Sequence, residues 1–495
     1  MLGKKLFLDA VHGYIAVPVN FSDELIDTAP FQRLRRIEQT SARSLFPCAH
    51  HDRFVHSLGV YYVGQQIVDA INTSFTIPQG IRQSYLIACL MHDCGHSPFS
   101  HTFEHLFGTP AKLFEDYKSV IKSHNMDASI QDIDINKSDA KPHEIISAIL
   151  CVTMYYEKII KLGGNPALVG RMIMGLPYVK EERNTLENCF ISLLHGEVID
   201  ADRIDYICRD RWASGYMNTL LDVRRLIAAI RIKKKNNEYI VTFKKNAINE
   251  IQALIDSKNF QQTTVFTHHQ VVYEQKLLKD AVENMIKALQ EDGNLDPAKL
   301  FNYHAFETPQ EVCPGLKVYL PMDDDIISLM KTYQEKIPTL EQWLSRSYTY
   351  YPLWKSRAEF LALFSSAGEA SILLSADMNI FDNVFKDLIV KEIKEEPILL
   401  AANPKMKKIH EGEILVDFGD TEIDYTALNL PVEADVYKGQ MFEYVYVPNA
   451  FQDQKSVLIE KLIIATKSYI VKRKNELMAK LVEATAEYLK NKDTK

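Results

Sequence analysis

The chain has 495 residues, 46% of them hydrophobic and 25% charged, with a formal net charge of −8. Such a length buries a large core and leaves room for a catalytic domain and a second lobe, while the acidic balance excludes a general affinity for nucleic acid and leaves only local basic patches. No run approaches the roughly 18 apolar residues of a membrane helix, Asp9 and His12 interrupt the apolar residues a leader would need, and seven cysteines without a CxxC pair read as reduced thiols, so a cytosolic protein is expected.

Taken in chain order, apolar residues at three-to-four spacing predict helices over 58–72, 81–92, 143–160, 166–174, 185–209, 222–231, 247–258 and 271–290. Turn residues interrupt them at Pro78-Gln79-Gly80, Gly163-Gly164-Asn165-Pro166 and Gly175-Leu176-Pro177. Within 228–243 the end reads as a strand preceded by an Asn236-Asn237 turn, hence a small β-hairpin. Residues 291–350 are richer in Pro, Gly and Asp and read as a connecting segment; 412–418 and 441–448 read as strands and 455–490 as a long amphipathic helix. The expected fold is mainly α: a helical core with a small hairpin over 1–290, the connection over 291–350, and a C-terminal α+β lobe over 351–495.

The chemistry concentrates in Leu90-Met91-His92-Asp93-Cys94-Gly95-His96-Ser97-Pro98-Phe99-Ser100-His101. The apolar helix Ser84–Met91 runs straight into His92-Asp93, so this polar pair is buried at the helix end and needs a partner; the second His-Asp pair, His51-Asp52, lacks that setting. Imidazole beside carboxylate is a nitrogen and oxygen ligand set that suits Mn, Fe, Zn or, with more water, Mg, and His56 and Asp202 are candidates to complete it. His96 follows His92 by four residues and shares its side if the helix continues, with His101 just beyond on a turn containing Pro98. A histidine near a metal-bound phosphate is suited to general-acid work. On the helix through Asp202, residues 202, 206 and 210 form one polar stripe, while Asp205 and Arg209, four apart, read as an intrahelical ion pair. The Lys233-Lys234-Lys235 run beside Asn-Asn reads as a solvated turn.

The motifs Arg53-Phe54-x-His56-Ser57-Leu58-Gly59-Val60, His92-Asp93-x-Gly95-His96-x-Pro98-Phe99-Ser100-His101, His143-Glu144 and Asp202-Arg203-x-x-Tyr206-x-x-Arg209-Asp210 resemble, in order and spacing, the HD-domain deoxynucleoside triphosphate triphosphohydrolases. The resemblance begins at Asp9-Ala10-Val11-His12-Gly13 and extends to about residue 290, without the sterile alpha motif of the mammalian members. It implies a divalent metal (Mg, Mn, Fe or Zn) on His56, His92, Asp93 and Asp202, and a catalytic set of His101, His96, His143 and Glu144, with His101 protonating the leaving 5′ oxygen. It implies substrate contacts from Arg53, from Arg203 to phosphate, from Tyr206 and Asp210 to the sugar 3′-hydroxyl, from Gln39 near the sugar, and from His269 and Tyr273, the tyrosine packing beneath the deoxyribose.

Val265 and Thr40 depart from the family's arginine and leucine, which bears on phosphate grip and base preference. An activating-nucleotide site is matched in part by Lys5, Asp27, Gln32 and Arg35, with Leu8 in place of an asparagine; the same residues are also able to cap and pair locally. The expected activity is hydrolysis of a dNTP to deoxynucleoside and inorganic triphosphate by a homo-oligomer, dimer or tetramer. An HD-type phosphodiesterase or nuclease acting on another nucleotide or single strands, and a non-catalytic nucleotide-sensing scaffold, stand as alternatives.

Overall fold

Two units divide the chain, each assembled from separated stretches: Met1–Gln261, Leu278–Leu340 and Met406–Glu433 form the first, and Gln262–Leu277, Glu341–Lys405 and Ala434–Lys495 the second. The computed structural model describes residues 3–40, 45–179, 185–216, 221–291, 297–313, 315–364, 380–402, 404–406, 409–428 and 442–492. Both units mix helices with small sheets, and helix dominates.

The first unit opens on an antiparallel hairpin of β1 (Lys4–Asp9) and β2 (Gly13–Pro18), in register from Lys4 opposite Pro18 to Asp9 opposite Gly13. Its helical body follows: α1 (Arg53–Asn72), α2 (Gln79–Met91), α3 (Pro110–Ser123), α4 (Pro142–Val152), α5 (Tyr156–Lys161), α6 (Pro166–Met174), α7 (Thr185–Leu194) and α8 (Ala201–Ser214). Asp52 caps α1 by accepting from the Val55 amide, and Asp200 caps α8 by accepting from the Arg203 amide, so both helices start where a short acceptor satisfies their free N–H groups. Helix α2 is buried on all sides from Ser84 to Met91, as its unbroken apolar run requires.

Three predicted segments are shorter or broken. Residues 143–160 form two helices, because the backbone turns at Thr153–Tyr155, and 185–209 is likewise interrupted between Leu194 and Ala201, where Asp200 ends one segment by capping the next. Over 222–231 the helix is only α9 (Val223–Ala228), and Ile230 already begins a strand. That strand, β3 (Ile230–Lys235), pairs with β4 (Glu238–Lys244) through Asn236 and Asn237, both at positive φ, the left-handed pair that a two-residue hairpin turn needs. Beyond them lie α10 (Ile248–Gln261), α11 (His269–Glu291), which contributes residues to both units, and α12 (Asp323–Thr332).

In the second unit β5 (Tyr350–Pro352) and β6 (Ile398–Ala401) flank a central antiparallel strand that spans Glu443–Pro448. An aromatic cluster fills its core, with Trp354 wholly buried among Phe360, Phe364, Phe381 and Phe385. The predicted strand at 412–418 is present as β7 (Leu415–Asp417), which joins the sheet of the first unit parallel to β4 and pairs with β8 (Glu422–Asp424). The central strand Glu443–Pro448 is β9, and α13 (Lys455–Lys492) is the long C-terminal helix; position 441 lies outside the described residues. Among the described residues no helix is long and apolar enough to cross a membrane.

Candidate metal centre and its histidine neighbours

Three helices of the first unit bring His56 (α1), His92 and Asp93 (the end of α2) and Asp202 (α8) together. His56 Nε2 lies 2.9 Å from Asp202 Oδ1 and 3.6 Å from Asp93 Oδ2; His92 Nε2 lies 3.5 Å from Asp93 Oδ1 and 3.6 Å from Asp202 Oδ1. The two Nε2 atoms are 3.3 Å apart. Each ring has already spent its other nitrogen on an acceptor: His56 Nδ1 on Asp205 Oδ2 at 2.7 Å, His92 Nδ1 on the Cys89 carbonyl at 3.0 Å. Those partners place a proton on each Nδ1, which leaves the two Nε2 atoms facing the Asp93 and Asp202 carboxylates, where either protons on the rings or a cation between the groups offsets the negative charge. His56, His92 and Asp93 present ligand atoms within 4.8 Å of one another, and Asp202 Oδ1 lies 2.9 Å from His56 and 3.6 Å from His92, so a divalent metal fits these four residues.

The electrostatics agree. Burial alone would lower the His56 imidazole, but hydrogen bonds to Asp202 and Asp205 overturn that and lift it to about 10. Burial works against the Asp93 carboxylate, yet the Arg53 guanidinium and the imidazoles around it hold it well below the usual carboxylate range. Arg53 is buried, with Nη1 donating to Asp93 Oδ2 at 2.7 Å and Nε to Ser100 Oγ at 2.9 Å, so it is locked to a ligand and to the loop beyond it.

Asp205 has a second role beside its ion pair. Arg209 chelates it from one turn on, at 2.9 and 3.0 Å, as an i,i+4 pair should, but its carboxylate also holds His56 Nδ1 and His12 Nε2, the latter at 2.6 Å. Arg209 reaches on to Asp9 at 2.8 Å, and Asp9 accepts from the His12 amide at 2.8 Å, so the turn of the first hairpin buttresses a metal ligand. Gly59 on α1 makes this packing possible, because a Cβ there would sit inside contact distance of the Asp205 carboxylate and the Arg209 guanidinium.

The helix does not continue to His96. Helix α2 ends at Met91, and His92–Gly95 turn away so that Gly95 lies against the backbone of His143 and Ser147, where a Cβ has no room. His96 consequently meets α4 rather than lining up above His92: its ring stacks on His143 at 3.9 Å between centroids, with an interplanar angle of 17°, and His101 lies 4.9 Å from His96 and 5.1 Å from His143. Ligand atoms of these three histidines lie within 4.8 Å of one another, but stacking turns the in-plane lone pairs of His96 and His143 parallel instead of converging on one ion. His96 is wholly buried and neither ring nitrogen has a hydrogen-bond partner within the protein, a costly state unless a ligand supplies one. Glu104, to which the sequence reading assigns no role, organises the group: it binds His143 Nδ1 at 2.6 Å and lies 3.4 Å from His101 Nδ1. Its position three residues after His101 allows a contact across one turn without requiring one.

The His101 side chain is 53% exposed, and partial desolvation with the neighbouring Arg53 and His143 lowers its imidazole below the usual range, against the upward pull of Glu104. Glu144 is occupied at the start of α4, accepting from the Lys141 amide at 2.7 Å, with His143 and His195 nitrogens 3.8 and 3.7 Å from its other oxygen. The loop between His96 and His101 is strained: Phe99 and Ser100 are consecutive non-glycine residues at φ 56° and 55°. Such conformations cost about 1–3 kcal/mol each and persist only where the surroundings enforce them.

The remaining candidate residues are placed as follows. Tyr206 and Asp210 continue along α8 from Asp202, and Asp210 binds His51 Nε2 at 2.8 Å. Arg203 donates to the Gly196 carbonyl at 2.9 Å and lies 3.1 Å from Asp200. The Gln39 backbone bonds His51, while its side-chain oxygen is buried without a partner, as is the Thr40 hydroxyl. His269 and Tyr273 belong to the second unit, where both are buried and Tyr273 stacks on Tyr446 at 4.9 Å; Val265 is buried there too. Lys5 pairs with Asp27 at 2.5 Å and Asp23 at 3.1 Å, and Arg35 Nε donates to Gln32 at 2.8 Å, so this set is internally paired.

Residues 53–194, a stretch that includes His56, His92 and Asp93, match the family model described as HD domain. The chain is 29% identical over 299 residues to an uncharacterized protein of Methanocaldococcus jannaschii, covering 60% of this chain and 52% of that protein. It is 27% identical over 305 residues to the deoxynucleoside triphosphate triphosphohydrolase SAMHD1 homolog of Dictyostelium discoideum, covering 60% of this chain and 52% of the relative. This chain thus spans about half the length of these curated relatives. Its fold is similar to that of a phosphohydrolase from Bacteroides thetaiotaomicron, with a TM-score of 0.60 at 16% identity over 90% of this chain and 98% of the other.

Proposed function

We propose that the chain is a metal-dependent phosphohydrolase that cleaves deoxynucleoside triphosphates to deoxynucleoside and inorganic triphosphate. The observation that carries the reading is the adjacency of two groups: the His56, His92, Asp93 and Asp202 set, and the His96, His101, His143 and Glu104 cluster reached through the same short loop. When bound, a divalent cation at the first set polarises a phosphate and activates water. Everything else falls to the chain's own groups. Water attack at the α-phosphorus breaks the bond to the 5′ oxygen, which leaves with a proton from His101; the water oxygen remains on the triphosphate, and the proton it gives up passes to solvent, from which His101 is reprotonated. The low proton affinity of His101 in the ligand-free protein suits this role once a polyanion lies beside it, because negative charge raises an imidazole towards neutrality. His96 and Arg203 supply polar and cationic contacts to phosphate oxygens. Sugar contacts from Gln39, Tyr206 and Asp210, a nucleotide activator at Lys5, Asp27, Gln32 and Arg35, and assembly as a dimer or tetramer belong to the same reading.

The nuclease alternative rests on Val265 and on the lysine run; Lys233 lies 2.7 Å from Asp417 and Lys235 2.8 Å from Glu422, so carboxylates pair these two members of the run, while Val265 still stands in place of the family's arginine. The test is anion-exchange analysis of products after incubation with each dNTP, singly and mixed, with Mg²⁺ or Mn²⁺, beside a His92→Ala/Asp93→Ala control. Intact triphosphate from the parent alone is expected, and turnover confined to mixtures would support the activator set. Absence of turnover in every mixture would end the dNTP assignment.

A further inference from the structure

The loop that carries His96 and His101 is gripped from behind by a stretch more than 200 residues away in sequence. Asp323, at the first position of α12 and only 6% exposed, accepts from the Phe99 amide at 2.7 Å and from the Glu38 amide at 3.0 Å. It is not spent on its own helix: Asp325 caps α12 by accepting from the Met322 amide at 2.9 Å. Two residues earlier, the Pro321 carbonyl takes a 2.7 Å hydrogen bond from Arg33, a fully buried guanidinium whose other arm holds the carbonyls of Cys94 at 3.1 Å and His96 at 2.6 Å. The amide held by Asp323 belongs to the first of the two left-handed residues, and the second is fixed by Ser97 Oγ donating to its carbonyl and Arg53 donating to its hydroxyl. His101 follows immediately, on the short turn Ser100–Thr102.

We infer that Asp323 is a positioning residue for the reaction: by holding the Phe99 amide it keeps the strained 97–100 loop in the one shape that sets His101 against His143 and Glu104. Burial pushes the Asp323 carboxyl up to about 7 against the pull of its two amide partners, so this carboxylate is kept where folding alone disfavours it. Without it, the Phe99 amide loses the Asp323 acceptor and the loop relaxes towards negative φ, swinging His101 away while the candidate ligands, on α1, on the turn directly after α2 and on α8, stay in place. The inference rests on the proposed hydrolase reading for the identity of the reaction, but not for the loop mechanics.

The experiment compares the full-length parent with Asp323→Ala and Asp323→Asn in steady-state kinetics, metal affinity and hydrogen exchange of the 97–102 segment. Asp323→Ala should lower kcat about 100-fold, leave KM and metal affinity within about twofold, and raise exchange over 97–102 at least about tenfold with α1 and α8 unchanged. Asp323→Asn, which keeps one carbonyl acceptor, should recover part of kcat. An Asp323→Ala variant with parental kcat, or one whose exchange rises equally across α1, α2 and α8, would overturn the inference. If the parent turns over no dNTP, the hydrolase reading fails separately, and segment exchange together with turnover of bis(p-nitrophenyl) phosphate decides the role of Asp323.

Discussion

Asp205 decides how His56 presents its lone pair. Outer carboxylates that orient a metal-bound imidazole are worth about 10–100-fold in metal affinity, so Asp205→Asn is expected to weaken binding by that factor in a chelator competition, and an unchanged affinity would show that Asp205 serves only the Arg209 pair. A different carboxyl governs pH behaviour in the second unit. Burial raises Glu443 to about 7, and its Oε2 is buried with no hydrogen-bond partner. Because the folded value lies above the ordinary one, the stabilising effect of the neutral acid is full below about pH 4.5 and is lost as pH rises through 7. Glu443→Gln should therefore match the parent in urea unfolding at pH 4 and exceed it by about 1–3 kcal/mol at pH 8; equal stability at both would mean the carboxyl is better solvated than its burial implies. That His92-Asp93 needs partners was legible in sequence because a polar pair at the end of an apolar helix must be matched, whereas His56 and Asp202 entered as candidates through the family resemblance, and the folded chain sets them beside the pair. Asp205 and Glu104 were not, since their partners His56 and His143 lie 149 and 39 residues away and nothing local requires them.

Helix packing sets the dimensions of the site. Gly59 lets α1 and α8 approach until Asp205 reaches His56, and Gly59→Ala should force them apart, costing about 1–3 kcal/mol of stability and shifting the thermal midpoint down by several degrees; an unshifted midpoint would show that α8 yields at no cost. Element type was readable wherever periodicity was long, as in α1, α2, α11 and α13, but the breaks were not. Thr153–Tyr155 and 195–200 carry no proline, and only the demand that Asp200 cap α8 ends the helical run there. The same blindness led from the i,i+4 spacing of His92 and His96 to a continuing helix, whereas the close approach of Gly95 to α4 turns the chain and creates the stacked pair with His143.

Across the molecule, chain order and spatial grouping part company: residues 262–277 group with 341–405, and 406–433 with the first 261 residues, an interleaving that leaves no mark on composition. The Asn-Asn turn was legible from its own chemistry, whereas the parallel neighbour of β4 came from 173 positions further along the chain, Phe243 pairing with Val416. The first hairpin shows the same economy on a smaller scale. Its turn lends Asp9 and His12 to the carboxylate behind a metal ligand. A protein trimmed by its first dozen residues keeps all four candidate ligands but loses these contacts, so it is expected to hold a divalent ion more weakly in the same chelator competition, and an unchanged affinity would show that the hairpin turn is dispensable there.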